Sequence, residues 1–333
     1  MENKTYNALV VEENETNHFT RKIKVKSTDE LPAGDLLIRV HYSSLNYKDA
    51  LSASGNKGVT RNYPHTPGID ASGVVEHSAS EKFKPGDEVI VTSYDLGMNT
   101  SGGFGEYIRV PADWALKLPA GITLKESMMF GTAGLTAGMA VDQILTKVMP
   151  NQGEVLVTGA SGGVGSMAVA ILARLGYQVA AGTGKPEAGE ILKKLGTTQL
   201  ISREELTTGK ERPMLKPRWS AVVDTVGGDI LANAIKSTNL NGVIACCGNV
   251  ASPDLNINVY PFILRGVSLV GIDSQNYLMP NREKIWSLLS TDWKPAFLTE
   301  LFQEVNLEGL NEKIELMLQG KITGRVVLKH NHK

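Results

Sequence analysis

Two hydrophobic patterns divide the chain. Before about residue 125, apolar and polar positions alternate in short runs. Residues 35–42 set Leu36, Ile38 and Val40 against Leu37, Arg39 and His41, the period of a strand. Residues 71–76, 88–93 and 107–110 read the same way. The turns Lys84-Pro85-Gly86-Asp87, Ser101-Gly102-Gly103 and Pro119-Ala120-Gly121 lie between and after them. Short strands at this spacing predict a barrel-like β domain. From residue 125 the period lengthens. Residues 125–140 are helical in character but punctuated by glycine, in Gly131-Thr132-Ala133-Gly134-Leu135-Thr136-Ala137. Beyond them the apolar runs 199–201, 221–224, 243–246 and 269–272 alternate with helical stretches such as 190–195 and 230–238. That alternation predicts a parallel sheet with helices on both faces. Residues 282–319 read as mostly helical, and 325–328 as a final strand.

The most informative stretch is residues 154–167. An apolar run, Val155-Leu156-Val157, breaks into Gly159-Ala160-Ser161-Gly162-Gly163-Val164-Gly165, and from Met167 a helical pattern begins. A second apolar strand, 178–181, follows Gly176. Glycine lets the backbone turn sharply and a ligand approach it closely. The helix opening there points unpaired N–H groups and its positive dipole end at the turn. A strand, a glycine turn and a helix in this order predict a dinucleotide pyrophosphate site, with Ser161, Gly162, Gly163, Val164 and Gly165 around the phosphates.

Composition excludes several classes. The chain has 333 residues, 42% hydrophobic and 21% charged, with a net charge of −1. That gives material for about two domains and no field for nucleic acid or an anionic membrane. The two cysteines, Cys246 and Cys247, are adjacent and form neither a disulfide framework nor a metal cluster. The start, Met1-Glu2-Asn3-Lys4, lacks an apolar signal core, and no apolar run is long enough to span a bilayer. A cytoplasmic location is expected.

The ordered motifs resemble those of the medium-chain dehydrogenase/reductase superfamily over nearly the whole chain. They include Thr66-Pro67-Gly68-Ile69-Asp70-Ala71-Ser72-Gly73, Phe83-Lys84-Pro85-Gly86-Asp87-Glu88-Val89, Gly102-Gly103-Phe104-Gly105-Glu106-Tyr107 and the 131–137 segment. Ser43-Ser44-Leu45-Asn46-Tyr47-Lys48-Asp49-Ala50-Leu51, Asp224-Thr225-Val226-Gly227 and Pro261-Phe262-Ile263-Leu264-Arg265 resemble the quinone oxidoreductase branch, in particular the YhdH/YhfP group related to acryloyl-CoA reductase. The resemblance implies an α/β architecture: a GroES-like catalytic domain over 1–124, rejoined by 295–333, and a Rossmann doubly wound domain over 125–294. It places the active site in the cleft between them. It also implies a homodimer or tetramer through the Rossmann sheet, with residues 269–272 as the edge that pairs across the dimer.

Zinc enzymes of the superfamily bind their catalytic metal through Cys, His and Cys or Asp. At the first of these positions this chain has Asn46, Ile69-Asp70 replaces the His-Glu pair, and the lobe cysteines are missing. No zinc is expected. Asp49 and Asp70 are read as structural carboxylates, and His330 and His332 as part of a tail open to disorder. Without a metal to polarise an alcohol, the favoured chemistry is hydride addition to an electron-poor C=C.

For the cofactor, NAD-selective crossovers end the second strand on an acid. Here it runs Ala180-Ala181-Gly182-Thr183-Gly184-Lys185. Thr183, Gly184 and Lys185, with Arg203 after the next strand, suit a 2′-phosphate, so NADP(H) is expected. The resemblance adds Tyr47, Asn249 and Ile263 on the nicotinamide side, with Ser274 and 320–325 as weaker candidates. Catalysis falls to Asn46, Tyr47 and Asp49, with Tyr47 or water as proton donor. Lys48 and Asp49 are expected to pair with each other or with Asp70 and Arg61, and Arg61 to be an exposed loop residue or a contact for a substrate phosphate. Acryloyl-CoA and related enoyl-CoAs, quinones and 2-alkenals are the candidate substrates. The competing reading is a non-catalytic NADP-binding sensor or structural protein.

Overall fold

The structure is a computed structural model that describes residues 3–14, 18–296 and 298–332. In chain order it has strands β1 (Thr5–Glu13), β2 (Phe19–Ser27) and β3 (Leu36–Leu45), helix α1 (Tyr47–Ala53), and strands β4 (Asp70–Ser78), β5 (Glu88–Thr92), β6 (Tyr107–Val110) and β7 (Ala115–Lys117). Helix α2 (Leu124–Leu145) follows, then β8 (Glu154–Thr158), α3 (Gly163–Arg174), β9 (Gln178–Gly182), α4 (Gly189–Lys194), β10 (Gln199–Ile201) and α5 (Arg203–Thr207). The chain continues through β11 (Trp219–Asp224), α6 (Gly228–Lys236), β12 (Thr238–Cys246), α7 (Tyr260–Arg265) and β13 (Ser268–Gly271). It ends with α8 (Met279–Ser290), β14 (Phe302–Val305), α9 (Leu307–Leu318) and β15 (Arg325–Lys329).

The chain forms two compact units. One takes in the chain up to Thr132, Gln275–Ser290 and the chain from Leu298 onward; the other takes in Ala133–Ser274 and the segment from Thr291. In the first, a seven-stranded sheet runs β14-β15-β3-β4-β5-β7, with β6 also paired to β3. The alternation read in the sequence buries Leu36, Ile38 and Val40 with Ala71, Val75, Val89, Val91 and Ile108. A second core sets Leu45, Val326 and Leu328 against Leu307, Leu310 and Ile314 of α9. These two cores fix the end of β3, from which α1 departs.

The structure adds to or departs from the sequence pattern in four places. The first 34 residues contain a hairpin, β1 with β2, in antiparallel register from Thr5↔Ser27 to Glu13↔Phe19. It escapes pattern reading because β1 carries four consecutive buried residues, Ala8–Val11, and β2 is half lysine and arginine. The tail is mostly helical, as expected, in α8 and α9, and adds the strand β14, which pairs in parallel with β15. The helix expected over 230–238 stops at Lys236, and Thr238 opens β12. The C-terminal histidines are tied down: His330 is buried with Nε2 2.9 Å from the Gly103 carbonyl, and His332 Nε2 is 2.8 Å from that of Val40.

The second unit is built on a parallel sheet of order β10-β9-β8-β11-β12-β13. β8 is central, and the chain winds outward from it in both directions. That is the doubly wound arrangement in which ligands bind where the winding reverses, at the carboxyl ends of the central strands. Leu156, Ala180, Val222 and Ile244 fill the sheet's interior against Ile230 and Ile235 of α6.

Candidate active site

The glycine turn sits at that reversal. Gly159 has φ 59°, and a Cβ on it would lie 2.2 Å from Thr225 Oγ1. A Cβ on Gly165 would lie 2.3 Å from the Gly159 carbonyl oxygen, so only glycine lets α3 start this close to β8. The floor of the turn is fixed by Asp224, which is fully buried. It accepts from Thr158 Oγ1 at 2.6 Å and from the Gly227 N–H at 2.9 Å. α3 begins at Gly163 with Gly162 as N-cap and no side chain capping it, so the first N–H groups of the helix point at the turn without intrahelical partners.

The neighbouring residues converge. Thr183 Oγ1 donates to Ser161 Oγ at 3.1 Å and accepts from the Lys185 N–H at 3.1 Å. The Arg203 guanidinium lies 3.0 Å from where a Gly184 Cβ would stand. Ser161, the 162–165 turn, Thr183, Gly184, Lys185 and Arg203 thus form one cluster at the ends of β8, β9 and β10. Partial burial lowers the Lys185 pKa. Asn249 lies just beyond β12 at the same end of the sheet, its Cα 3.2 Å from a Cβ built on Gly227. Ile263 is an exposed residue of α7, and Ser274 follows β13. Burial pushes Cys246 and Cys247 up to about 11 and about 12, with Asp224 adding to both. Both thiols are therefore protonated near neutrality and poor nucleophiles.

In the first unit the organising group is a buried cation that sequence reading placed only among the weaker candidates. Arg325 is 3% exposed. Its Nη1 donates to Asn46 Oδ1 at 3.1 Å, its Nη2 to Ser44 Oγ at 2.9 Å, and its Nε to the Met129 carbonyl at 3.3 Å. Its ion-pair partner is Asp70, 3.8 Å away and fully buried. Asp70 also accepts from Asn46 Nδ2 at 2.7 Å and from Thr132 Oγ1 at 2.6 Å. Helix α2 kinks at Gly131, φ 53°, because a Cβ there would lie 2.4 Å from Asp70 Oδ2 and 2.8 Å from Arg325 Nη2.

Asp49 does the second half of the positioning. It sits in the first turn of α1, fully buried. One oxygen accepts from the Asn46 N–H at 2.7 Å; the other accepts from the N–H groups of Gly68 at 3.2 Å and Ile69 at 2.8 Å. Burial, reinforced by Asp70, raises its pKa to about 7. The expected pairing of Lys48 and Asp49 with each other or with Asp70 and Arg61 does not form, because backbone amides claim Asp49 and Lys48 Nζ donates to Gln275 Oε1 at 2.7 Å. Arg61 is exposed, its N–H 3.3 Å from Asn99 Oδ1. Among the described residues, no group of three His, Cys, Asp or Glu side chains is placed to hold a metal ion. What the network presents outward is Tyr47, the first residue of α1, 46% exposed.

The alcohol dehydrogenase GroES-like domain family matches residues 32–120, and the zinc-binding dehydrogenase family matches 163–291. A putative quinone oxidoreductase of Bacillus subtilis, YhfP, is 43% identical over 97% of this chain and 98% of its own length. This chain belongs to the quinone oxidoreductase and acrylyl-CoA reductase group of the medium-chain dehydrogenases/reductases. The acrylyl-CoA reductase AcuI of Ruegeria pomeroyi is 41% identical over 98% of this chain and 99% of its own. Two solved structures superpose on the group's fold here with a TM-score of 0.95. The yhdH oxidoreductase of Salmonella enterica, in complex with NADP, is 38% identical and covers 98% of this chain and 100% of its own. B. subtilis YhfP, with NAD bound, is 42% identical at the same coverage. Membership makes this chain an oxidoreductase with a GroES-like and a Rossmann-type unit. No helix among the described residues is long and apolar enough to cross a membrane.

Proposed function

We propose that this chain reduces an electron-poor C=C with NADPH, and that its substrate class is a short enoyl-CoA thioester. The observation that carries the cofactor half is the open N-terminus of α3, flanked by Thr183, Lys185 and Arg203, where β9 ends without an acid. A nicotinamide dinucleotide fits this cradle: Gly165 lets α3 start close against the turn, and Lys185 and Arg203 supply two cations suited to a 2′-phosphate. Ser161 and the turn hold the pyrophosphate, and Asn249 and Ile263 serve the nicotinamide side.

NADPH, when bound, supplies the hydride. Its addition at the β-carbon breaks the C=C π bond and moves the electron pair onto the α-carbon and the conjugated carbonyl. Tyr47, placed at the α1 N-terminus by Asn46, Asp49 and Arg325, hydrogen-bonds that carbonyl. The proton reaches the α-carbon from Tyr47 or from water. Asn46 and Asp49 are positioning groups in this scheme, because Asn46 is engaged with Asp70 and Arg325 and Asp49 with backbone N–H groups. Tyr47→Phe is expected to lower kcat on an enoyl thioester about tenfold, the size of one lost hydrogen bond to the carbonyl, and about a hundredfold or more if its hydroxyl is also the proton donor. An unchanged kcat removes the hydroxyl from the chemistry. A quinone is the second substrate reading, favoured by the name of the B. subtilis relative.

We also propose a homodimer through the β13 edge. β13 pairs with β12 on one side. Leu264 on α7 and Val259 just before it are 63% and 60% exposed. A second copy covers that apolar face and removes a bare strand edge. Sedimentation at the monomer mass across micromolar concentrations would sink this part.

A further inference from the structure

The first unit holds a concavity that the α1 network does not use. It encloses about 690 Å³ and is lined by Tyr94, Trp114 and Tyr277, with Lys82 and Lys117 among its polar groups. Its aromatic wall is rigid. Ser93 and Tyr94 are consecutive non-glycine residues in the left-handed region, φ 62° and 51°. Such residues persist where their surroundings over-determine them. Here the Ser93 N–H donates to the Ile69 carbonyl at 2.7 Å, the Tyr94 N–H to Gln275 at 3.3 Å, and the Tyr94 hydroxyl to Tyr277 at 3.4 Å. Behind them Arg282, 2% exposed, donates to the carbonyls of Thr92, Tyr277 and Gln275 at 3.0–3.1 Å. Its guanidinium carbon lies 4.2 Å from the Tyr94 ring centre, and the Tyr94 ring lies almost parallel to Trp114, 9° between planes and 5.6 Å between centres. Three flat groups, Arg282, Tyr94 and Trp114, are therefore stacked, and two of them line the cavity.

The same residues connect the cavity to the α1 site. Gln275 accepts the Tyr94 and Arg282 N–H groups on its carbonyl and Lys48 Nζ on its side chain, and Lys48 is the residue after Tyr47. A ligand that reaches both would carry its reacting group at one end and, to suit this stack, a planar aromatic group at the other. Lys82 and Lys117 are largely exposed and paired with Asp113 and Asp87 at 2.6 and 3.0 Å. The Lys82–Asp113 pair is exposed on both sides and worth little, which leaves Lys82 free to exchange its partner for phosphate, whereas the Asp87 end of the Lys117 pair is largely buried. Asp113 and Glu283 also line the cavity, so the charge there is balanced and selection falls to stacking.

We propose that this cavity receives the adenine ring of the CoA thioester, stacked against Trp114, with Lys82 and Lys117 beside its phosphates. The proposal rests on the enoyl-CoA reading above. The test compares acryloyl-CoA with the acryloyl thioester of N-acetylcysteamine, which has the same reacting group and no nucleotide. Wild type is expected to prefer acryloyl-CoA in KM by tenfold or more, and Trp114→Leu to cut that preference about tenfold, the low end of base–aromatic stacking. Trp114→Phe is expected to restore most of it. Equal KM values for the two thioesters in the wild type, or a preference untouched by Trp114→Leu, would overturn the proposal. If neither thioester is reduced, the enoyl-CoA reading fails by itself. The cavity is then tested directly by titrating tryptophan fluorescence with adenosine 3′,5′-bisphosphate: saturable quenching lost in Trp114→Leu supports an adenine site, and no quenching removes it. Circular dichroism and thermal melts of both variants separate misfolding from lost binding.

Discussion

At the residue scale, the two clusters, one in each unit, use opposite physics. The phosphate turn is open backbone chemistry: glycines that admit a ligand, and N–H groups left for it to satisfy. The Arg325–Asp70 network is closed, a buried ion pair whose hydrogen-bonding groups are taken up by Asn46, Ser44, Met129 and Thr132. Removing one partner of such a pair strands the other charge in a low-dielectric interior, at a cost of about 3–5 kcal/mol. Arg325→Met is therefore expected to lower unfolding stability by about that amount in urea titrations; a loss under about 1 kcal/mol would contradict this cost. On the open side, Lys185→Ala is expected to raise the KM for NADPH about tenfold and leave that for NADH within about twofold. This matches one charge-assisted contact to a 2′-phosphate. Equal effects on both cofactors would put Lys185 outside that contact. The turn was legible in sequence because its chemistry is local, four residues between a strand and a helix. Arg325 is not legible in that way. Its partners Ser44, Asn46 and Asp70 lie more than 250 positions earlier, and nothing in Arg325-Val326-Val327-Leu328 marks the arginine as buried.

At the element scale, period-2 alternation correctly marked β3 to β6, and glycine boundaries marked the βαβ unit around β8, α3 and β9. The β1–β2 hairpin was not legible. The continuous run Ala8–Val11 lacks alternation, and β2 hides its strand character behind lysines paired across the hairpin, such as Lys24 with Glu12. The C-terminal end of β15 was also misjudged, because a tail of histidines reads as polar until its burial is known. That burial has a measurable consequence. Desolvation lowers the His330 pKa to about 4, with His332 and His41 adding repulsion. The unfolded chain binds a proton near pH 6.5 while the folded chain resists it to about 4, so the folded state is fully favoured above pH 6.5 and loses stability as pH falls through that window. The loss between pH 7 and pH 5 is about 2 kcal/mol for this residue. His41 and His65, also lowered by burial, act in the same direction, and Asp49, raised to about 7, acts against them. His330→Gln keeps a donor for the Gly103 carbonyl and cannot titrate, so its urea midpoint is expected to fall less than that of the wild type between pH 7 and pH 5. Parallel curves for the two proteins would show that His330 carries no such burden.

At the scale of the whole molecule, the chain is divided between a unit that presents a cofactor cradle and a unit that presents Tyr47 from a buried charge network. Each is specified by residues distant in sequence, and full-length similarity to oxidoreductases at 41–43% identity places both in one family. The central claim is that together they move a hydride from NADPH to an activated double bond. The direct measurement is turnover of acryloyl-CoA with nicotinamide-deuterated NADPH in the transferred C4 position, read by mass spectrometry of the thioester product. The expected product is propionyl-CoA carrying one deuterium at the β-carbon, formed with one NADPH consumed. Tight NADPH binding with no deuterium transferred to acryloyl-CoA, to a short quinone or to a 2-alkenal would contradict it.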